Sequence, residues 1–458
     1  MSQEESAAAR TRPTLGGLLA LAWPIVVSRS SQVIVGIADA LMVAHLGEAA
    51  LAATTAGALN AFAFFILPMG VVFIVSSFSS QLFGRGDLEG ARRYGFYGLA
   101  VAATTQLVGV AGIPLASWAV GHLDFAPDVR SLLSDYLAIR LWSGGAAIGM
   151  EALANYYGGL GNTRLPMRAS LAAMALNVLG NWILIDGHLG APAMGVRGAA
   201  LASALSTAVA FLGLLAAFLL DGHGRRVLFP RLHLRELGRM LRFGIPSGLN
   251  WFFEFLAFSF FVNVVVAGLG TTALAALMAV VQLNSVAFMP AFALASAAAI
   301  LVGQAIGAGA KDEVPRLVRL GFVAAGSWQG LVGLAYLAAP RALFAPFARD
   351  PASASALLVV GARLLAFSAA WQLFDAAAAV LAESLRAAGD TAFVLWARLA
   401  VGWLVFVPGA WFTVRSFGGG DLAAAAWLVA YLAILAGVLL LRFRGGAWRR
   451  LQLVEPAA

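Results

Sequence analysis

The chain has 458 residues, of which 61% are hydrophobic and 11% charged, with a formal net charge of +8. A soluble domain normally carries about 25% charged residues, so this chain lacks the charge to cover a water-exposed surface and is not expected to be a soluble enzyme. It contains no cysteine, which excludes disulfides, zinc–thiolate sites and thiol catalysis.

Apolar runs of roughly 20 residues cross a bilayer as helices, whereas the strands of a membrane barrel alternate apolar and polar residues. The run from Ala199 to Leu220 has no charge and no alternation, so the predicted class is an all-α membrane protein. In chain order, a polar tail over 1–14 lacks the apolar core and cleavage site of a signal peptide, and the first span is expected to stay in the protein. Breaks of Gly, Pro and charge then place twelve spans at about 15–44, 51–80, 94–117, 131–158, 164–185, 196–220, 237–266, 274–305, 316–338, 354–384, 392–413 and 422–442. The expected division is a six-helix bundle over 15–220, a linker over 221–236, a second six-helix bundle over 237–442 and a tail over 443–458.

Basic residues gather in alternate loops. Arg85, Arg92 and Arg93 follow span 2, Arg164 and Arg168 follow span 4, and Arg225, Arg226, Arg231, Arg235, Arg239 and Arg242 line the central link. Lys311, Arg316 and Arg319 follow span 8, and Arg442, Arg444, Arg449 and Arg450 follow span 12. This is the positive-inside pattern rather than a nucleic-acid face. It predicts a multi-pass protein with both termini and the linker in the cytoplasm, a lipid bilayer as its surroundings and no nucleic-acid partner. A monomer is expected.

The two halves repeat. Leu46-Gly47 and Leu51-Ala52-Ala53 reappear 223 residues later as Leu269-Gly270 and Leu274-Ala275-Ala276. At the same shift Gln81-x-x-Gly84-x-Gly86 matches Gln304-x-x-Gly307-x-Gly309, and at a shift of 228 Gly161-Asn162-Thr163 matches Gly389-Asp390-Thr391. Pro24 and Pro246 hold equivalent places in the first span of each half. Six spans per half make parallel repeats, with a substrate site expected between bundles that rock against each other.

Ionisable side chains inside spans cost about 2.5–3.5 kcal/mol each on insertion scales and need a reason. The acids are Asp39 in span 1, Glu254 in span 7 and Asp375 in span 10, with Glu151 and Glu383 nearer the span ends; the bases are Arg29, Arg140, Arg363 and Arg398. A carboxylate in an apolar cavity can take up a proton, and several converging on amide oxygens can hold sodium, so Asp39, Glu254 and Asp375 are the expected coupling-ion and substrate-binding set. Glu254 and Asp375 are the candidate sodium ligands. The alternative is that the acids pair with the arginines and fix helix packing. Asn177 and Asn181 lie four apart on one face of span 5, placed to hold Asp39 or to offer oxygens to an ion. Supporting residues are Gln32, Asn250 one turn before Glu254, Gln282 beside Asn284, and Glu151. Of the span 7 rings, Phe258, with Trp251 or Phe261, is the cavity candidate for cation–π contact. There is no Gly-x4-Gly-Lys phosphate loop, Lys311 is the single lysine, and no loop is long enough for an ATPase domain. Transport would therefore run on an ion gradient, with no cofactor beyond the coupling sodium ion or proton.

These residues, in this order, resemble the multidrug and toxic compound extrusion (MATE) family over about Leu15–Leu441. The carriers are Pro24, Asp39 ahead of Ala44-His45-Leu46-Gly47, the two Gln-x-x-Gly-x-Gly motifs, Gly161-Asn162-Thr163, Gly195-Val196-Arg197-Gly198-Ala199-Ala200 and Gly389-Asp390-Thr391. The resemblance implies an antiporter that exports cationic, amphiphilic small molecules in exchange for sodium ions or protons across a bacterial inner membrane. The set Asp39, Asn177, Asn181, Glu254 and Asp375 is similar to the NorM-type branch, whereas the branch named for DinF usually has Asp where Asn181 stands. Arg29 and Arg140 depart from a purely cation-friendly first half. The rival within the same superfamily is a lipid-linked oligosaccharide flippase, which requires a strongly basic cavity.

Overall fold

Span 1, Leu15–Val43, starts where the Thr14 hydroxyl accepts the Gly17 N–H at 3.2 Å, a side-chain cap for one of the unpaired N–H groups of a helix end. The computed structural model describes residues 13–220, 231–348 and 354–455. Most of the expected N-terminal tail, linker residues 221–230 with Arg225 and Arg226, and the last three residues of the C-terminal tail lie outside the described residues.

The other spans follow as Glu48–Arg85, Leu88–Gly121, a broken fourth span of Pro127–Trp142 and Gly144–Gly159, Arg164–Asp186 and Val196–Leu220. The second half runs Leu234–Phe260 with a π-helical continuation Phe261–Val266, then Thr271–Gly307, Val314–Ala338, a broken tenth span of Ala354–Ser368 and Gln372–Ala387, an eleventh from Thr391 to Arg415 with a π-helical centre at Ala400–Phe406, and Asp421–Arg444. Among the described residues, eleven of the twelve spans are long and apolar enough to cross a membrane as they stand. The fourth falls short because it breaks at Ser143. There Gln106 of span 3 fills the gap in the ladder: its Nε2 donates to the Trp142 carbonyl at 2.6 Å and its Oε1 accepts the Gly145 N–H at 2.9 Å. In lipid such freed backbone groups must find partners inside the protein.

Large apolar side chains stand bare on the outside of the bundles, among them Leu41, Leu107, Leu331 and Leu404, each more than 60% exposed. Lipid, not water, is the solvent such a surface fits. Inside, Ala and Gly let helices approach closely. One core joins spans 8 to 12 with Leu18 and Ala22 of span 1; another joins spans 2, 3, 4 and 6 with Met240 of span 7. The bundles meet along spans 2 and 7, 1 and 8, and 2 and 8, the pairing a two-fold relation between the halves requires. Both described chain ends lie on one face, where Arg316 after span 8 donates to the Pro13 carbonyl and Lys311 to the Arg449 carbonyl.

The repeated glycine motif has a backbone cause. Gly86 and Gly309 end spans 2 and 8 at φ +85° and +78°, a left-handed turn that glycine adopts without steric cost.

Candidate functional site

Among the described residues, each bundle holds one interior carboxylate that forms no ion pair. In the first, Asp39 is 7% exposed, and Asn177 and Asn181 are fully buried. The Asp39 Oδ1 accepts from Asn177 Nδ2 at 3.1 Å and Asn181 Nδ2 at 2.6 Å, and its Oδ2 accepts from the Ser203 hydroxyl at 2.8 Å. The one-turn spacing of the two asparagines is what brings both amides to one oxygen. No Arg, Lys or His pairs with Asp39 among the described residues, and the Asn181 Oδ1 is buried without a hydrogen-bond partner.

In the second bundle Asp375 faces a cavity of about 190 Å³ whose polar wall includes Asn250, Glu254, Glu383, Arg386 and Arg398. Gln329 of span 9 donates to Asp375 Oδ2 at 3.3 Å. Among the described residues, the Gln329 Oε1 and the Asn250 Oδ1 are both buried without a hydrogen-bond partner. Glu254, in contrast, is ion-paired with Arg398. The acid–arginine alternative fits two of the five acids, Glu254 with Arg398 and Glu151 with Arg29, while Glu383 pairs within its own helix with Arg386, an arginine outside the expected set. It does not hold for Asp39 or Asp375.

A second cavity, of about 70 Å³, lies between the bundles, with Arg29, Gln32, Glu151 and Asn155 on its wall. Phe292 and Arg386 line both cavities. The Phe73 ring lies beside both guanidiniums, Arg29 and Arg386, each 5.3 Å from its centre.

The structure does not bring every expected residue to the site. Phe258 packs against Phe261 in the apolar cluster of the second bundle and is not among the residues that line the cavity, whereas Trp251 is. Gln282 is exposed; the polar contact in this part of span 8 is instead Asn284, whose Oδ1 accepts from Gln372 Nε2 at 2.6 Å. Arg363, read from the sequence as a buried base, has a half-exposed side chain that bonds Asp421. Asp421 is the first residue of span 12, so the pair stands at the end of that span. Ser203, Gln329, Arg386 and Phe292 were not singled out in the sequence. A lone serine among many gives no signal, but Gln329, an amide within the apolar run GSWQGLVG, does.

Comparison with known proteins decides the lineage. The MatE family model matches residues 24–183 and again 246–412, beginning at Pro24 and Pro246, the equivalent residues of the two halves. The chain belongs to the MatE family. Its members are membrane transporters, and two matches in one chain are the repeat seen in the helices. Among relatives, the probable multidrug resistance protein NorM of Rhizobium meliloti (strain 1021) is 30% identical over 96% of this chain and 95% of its own length. That of Mesorhizobium japonicum is 29% identical over 97% and 96%. Among solved structures, the eukaryotic MATE transporter AtDTX14 superposes with a TM-score of 0.82 at 18% identity, covering 94% of this chain and 96% of that one. A transporter from Pyrococcus furiosus, described as having a binding pocket of reverse polarity, gives 0.83 at 21% identity, covering 95% and 96%. At these identities the structures establish a shared fold: twelve spans in two bundles.

Proposed function

We propose that this MatE-family protein is a secondary antiporter that exports cationic or amphiphilic compounds across a bacterial inner membrane in exchange for sodium ions or protons, with both termini in the cytoplasm. One observation carries the reading. Asp39 and Asp375 are interior carboxylates that form no ion pair among the described residues, each beside an amide that keeps a buried oxygen free, Asn181 Oδ1 and Gln329 Oε1. A carboxylate with free amide oxygens suits a hard cation, which takes oxygen ligands, and equally suits a proton. Asp375 stands on the wall of the cavity in the second bundle, beside Trp251, Phe288 and Phe292, aromatic faces that attract an organic cation.

Binding of either cation neutralises the carboxylate and removes the counter-charge of a cationic substrate, so the two compete. Moving one charge through the membrane potential supplies about 2.3 kcal/mol per 100 mV, enough to drive the exchange. Among the bases expected inside the spans, Arg29 and Arg398 are neutralised by Glu151 and Glu254, which disfavours the strongly basic cavity of a lipid-linked oligosaccharide flippase.

The test is efflux of a fluorescent lipophilic cation from proteoliposomes under a sodium or a proton gradient imposed separately, for the wild type, Asp39→Asn and Asp375→Asn. Gradient-driven efflux that either variant uncouples supports the reading, and the effective gradient names the ion. Absence of cation transport under both gradients by folded wild-type protein would refute it.

A further inference from the structure

A second charged site lies away from the transport cavities. Span 7 begins at Leu234 and carries Arg235, Arg239 and Arg242 at intervals of four and three, so all three share one face of its first turns. Across from them runs the C-terminal segment. Trp448 stacks on Phe443 with ring centres 5.4 Å apart and is buried in the core of the second bundle. Five residues later Leu453, 1% exposed, is buried in the core of the first. Arg239 secures this crossing, donating to the Leu453 carbonyl at 2.7 Å, the Gln452 carbonyl at 2.8 Å and the Glu455 carboxylate at 2.8 Å.

Between helix and strap is a cleft of about 640 Å³, larger than either transport cavity. Its charged wall is Arg235, Arg239, Arg242 and Arg450 against Asp390 and Glu455. Both acids are already used. Asp390 accepts from Arg442 at 2.7 and 3.2 Å, and Glu455 pairs with Arg239 and with Arg235 at 3.4 Å. Arg242 and Arg450 are exposed and make no ion pair or hydrogen bond among the described residues. The cleft thus keeps a positive surplus and two unengaged guanidiniums, whose planar donors match phosphate oxygens.

We propose that this cleft binds the headgroup of an acidic phospholipid. Charged side chains cannot lie in hydrocarbon without large cost, so the arginine-bearing turns of span 7 stand at headgroup depth. The cleft also presents Phe243 and Leu451, apolar surface for the glycerol and upper acyl chain. Basic pockets between helices at this depth attract anionic headgroups. A phosphate held by Arg242 of span 7 and Arg450 of the strap joins the two walls, so lipid binding also fastens the C-terminal segment. The site does not depend on the transport reading above.

The experiment uses the full-length protein in nanodiscs of phosphatidylcholine alone or with phosphatidylglycerol. Retained lipid is read by native mass spectrometry and stability by thermal unfolding, with inorganic phosphate added to the phosphatidylcholine discs as a separate arm. The variants are Arg242→Gln/Arg450→Gln, the single exposed change Arg450→Gln, and Arg164→Gln/Arg168→Gln, which removes the same charge elsewhere. Phosphatidylglycerol is expected to raise the unfolding midpoint of the wild type and of the Arg164/Arg168 variant. The cleft variants should retain it more weakly, about 30-fold for the double change and less for the single one. Equal losses in the cleft and control variants would reduce the effect to general surface attraction and overturn the site. Stabilisation by inorganic phosphate as large as that by the lipid would overturn the lipid assignment.

Discussion

Gln81 of span 2 and Gln304 of span 8 close the same face of the molecule in mirror fashion, each on the backbone of the opposite bundle. Gln81 Nε2 donates to the Ala387 carbonyl at the end of span 10 at 2.7 Å, and Gln304 Nε2 to the Gly159 carbonyl at the end of span 4 at 3.1 Å. Those acceptors are themselves equivalent in the two halves. Gly84 and Gly307, one turn beyond each glutamine, admit the facing helix: a Cβ on Gly84 would land on the Gln304 carbonyl, and one on Gly307 on the Gln81 carbonyl. The repeated Gln-x-x-Gly motif is therefore a contact between the bundles, on the face that carries both chain ends.

Gly307→Ala should weaken this closure. The obstacle is backbone, which no rotamer change relieves, and overpacking of this kind costs about 1–3 kcal/mol. The chain has no cysteine, so Ser77→Cys, at a buried position on the wall of the cavity between the bundles, gives a single reporter. An impermeant thiol reagent applied from the face of the termini should label Ser77→Cys at least about 5-fold faster when Gly307→Ala is present. Unchanged labelling would mean that the bundles are not held at this crossing.

Glu254 and Asp375 line one cavity, and neutralising them should have unequal consequences for stability. Glu254→Gln leaves Arg398, with a side chain 13% exposed, without its counter-charge; loss of one member of a buried pair costs about 3–5 kcal/mol. Because the Glu254 side chain is 37% exposed, about 1–3 kcal/mol is the expected loss here. Asp375 has no ion-pair partner among the described residues, so Asp375→Asn should leave the unfolding midpoint unchanged or raise it. Thermal unfolding in detergent checks both, and Glu254→Gln/Arg398→Gln should recover part of the Glu254→Gln loss.

The sequence made the spans, the repeat and the interior acids legible because each is a departure from an apolar background: a charge, a glycine or a proline stands out in a run of Leu and Ala. Which acid meets which arginine was not legible. Glu254 and Arg398 are far apart in the chain, and only helix packing decides that they pair while Asp375, on the same cavity, does not. The Phe258 expectation failed for a related reason. On a helix ringed with aromatics, periodicity alone does not tell the cavity face from the packing face. The break at Ser143 was hidden because its partner, Gln106, lies in another span.

Gln106 supplies the next prediction. Gln106→Leu keeps a side chain of similar size but leaves the Trp142 carbonyl and the Gly145 N–H of the broken fourth span without their bonds. A backbone group left unsatisfied costs about 1–3 kcal/mol in a folded protein. The variant should unfold at lower temperature than Thr104→Val, two residues away, whose hydroxyl donates to the Ala100 carbonyl in the preceding turn of its own helix. Equal midpoints would show that the break satisfies itself by other means.

The Asp39 network offers the sharpest separation of structure from coupling. Asn181→Leu removes a 2.6 Å donor from a buried carboxylate that forms no ion pair among the described residues, and the loss should be about 1–3 kcal/mol. If the role of Asn181 is only to satisfy that charge, Asp39→Leu/Asn181→Leu should regain part of the stability, because the buried charge goes with its donor, while Asn177 and Ser203 give up the acceptor they share. Function should not follow. The double variant loses both the carboxylate and the free amide oxygen, so it should be stable yet fail to couple cation efflux to the ion gradient. A stable double variant with wild-type coupling would remove the first bundle from the exchange and leave Asp375 as the acid that carries it.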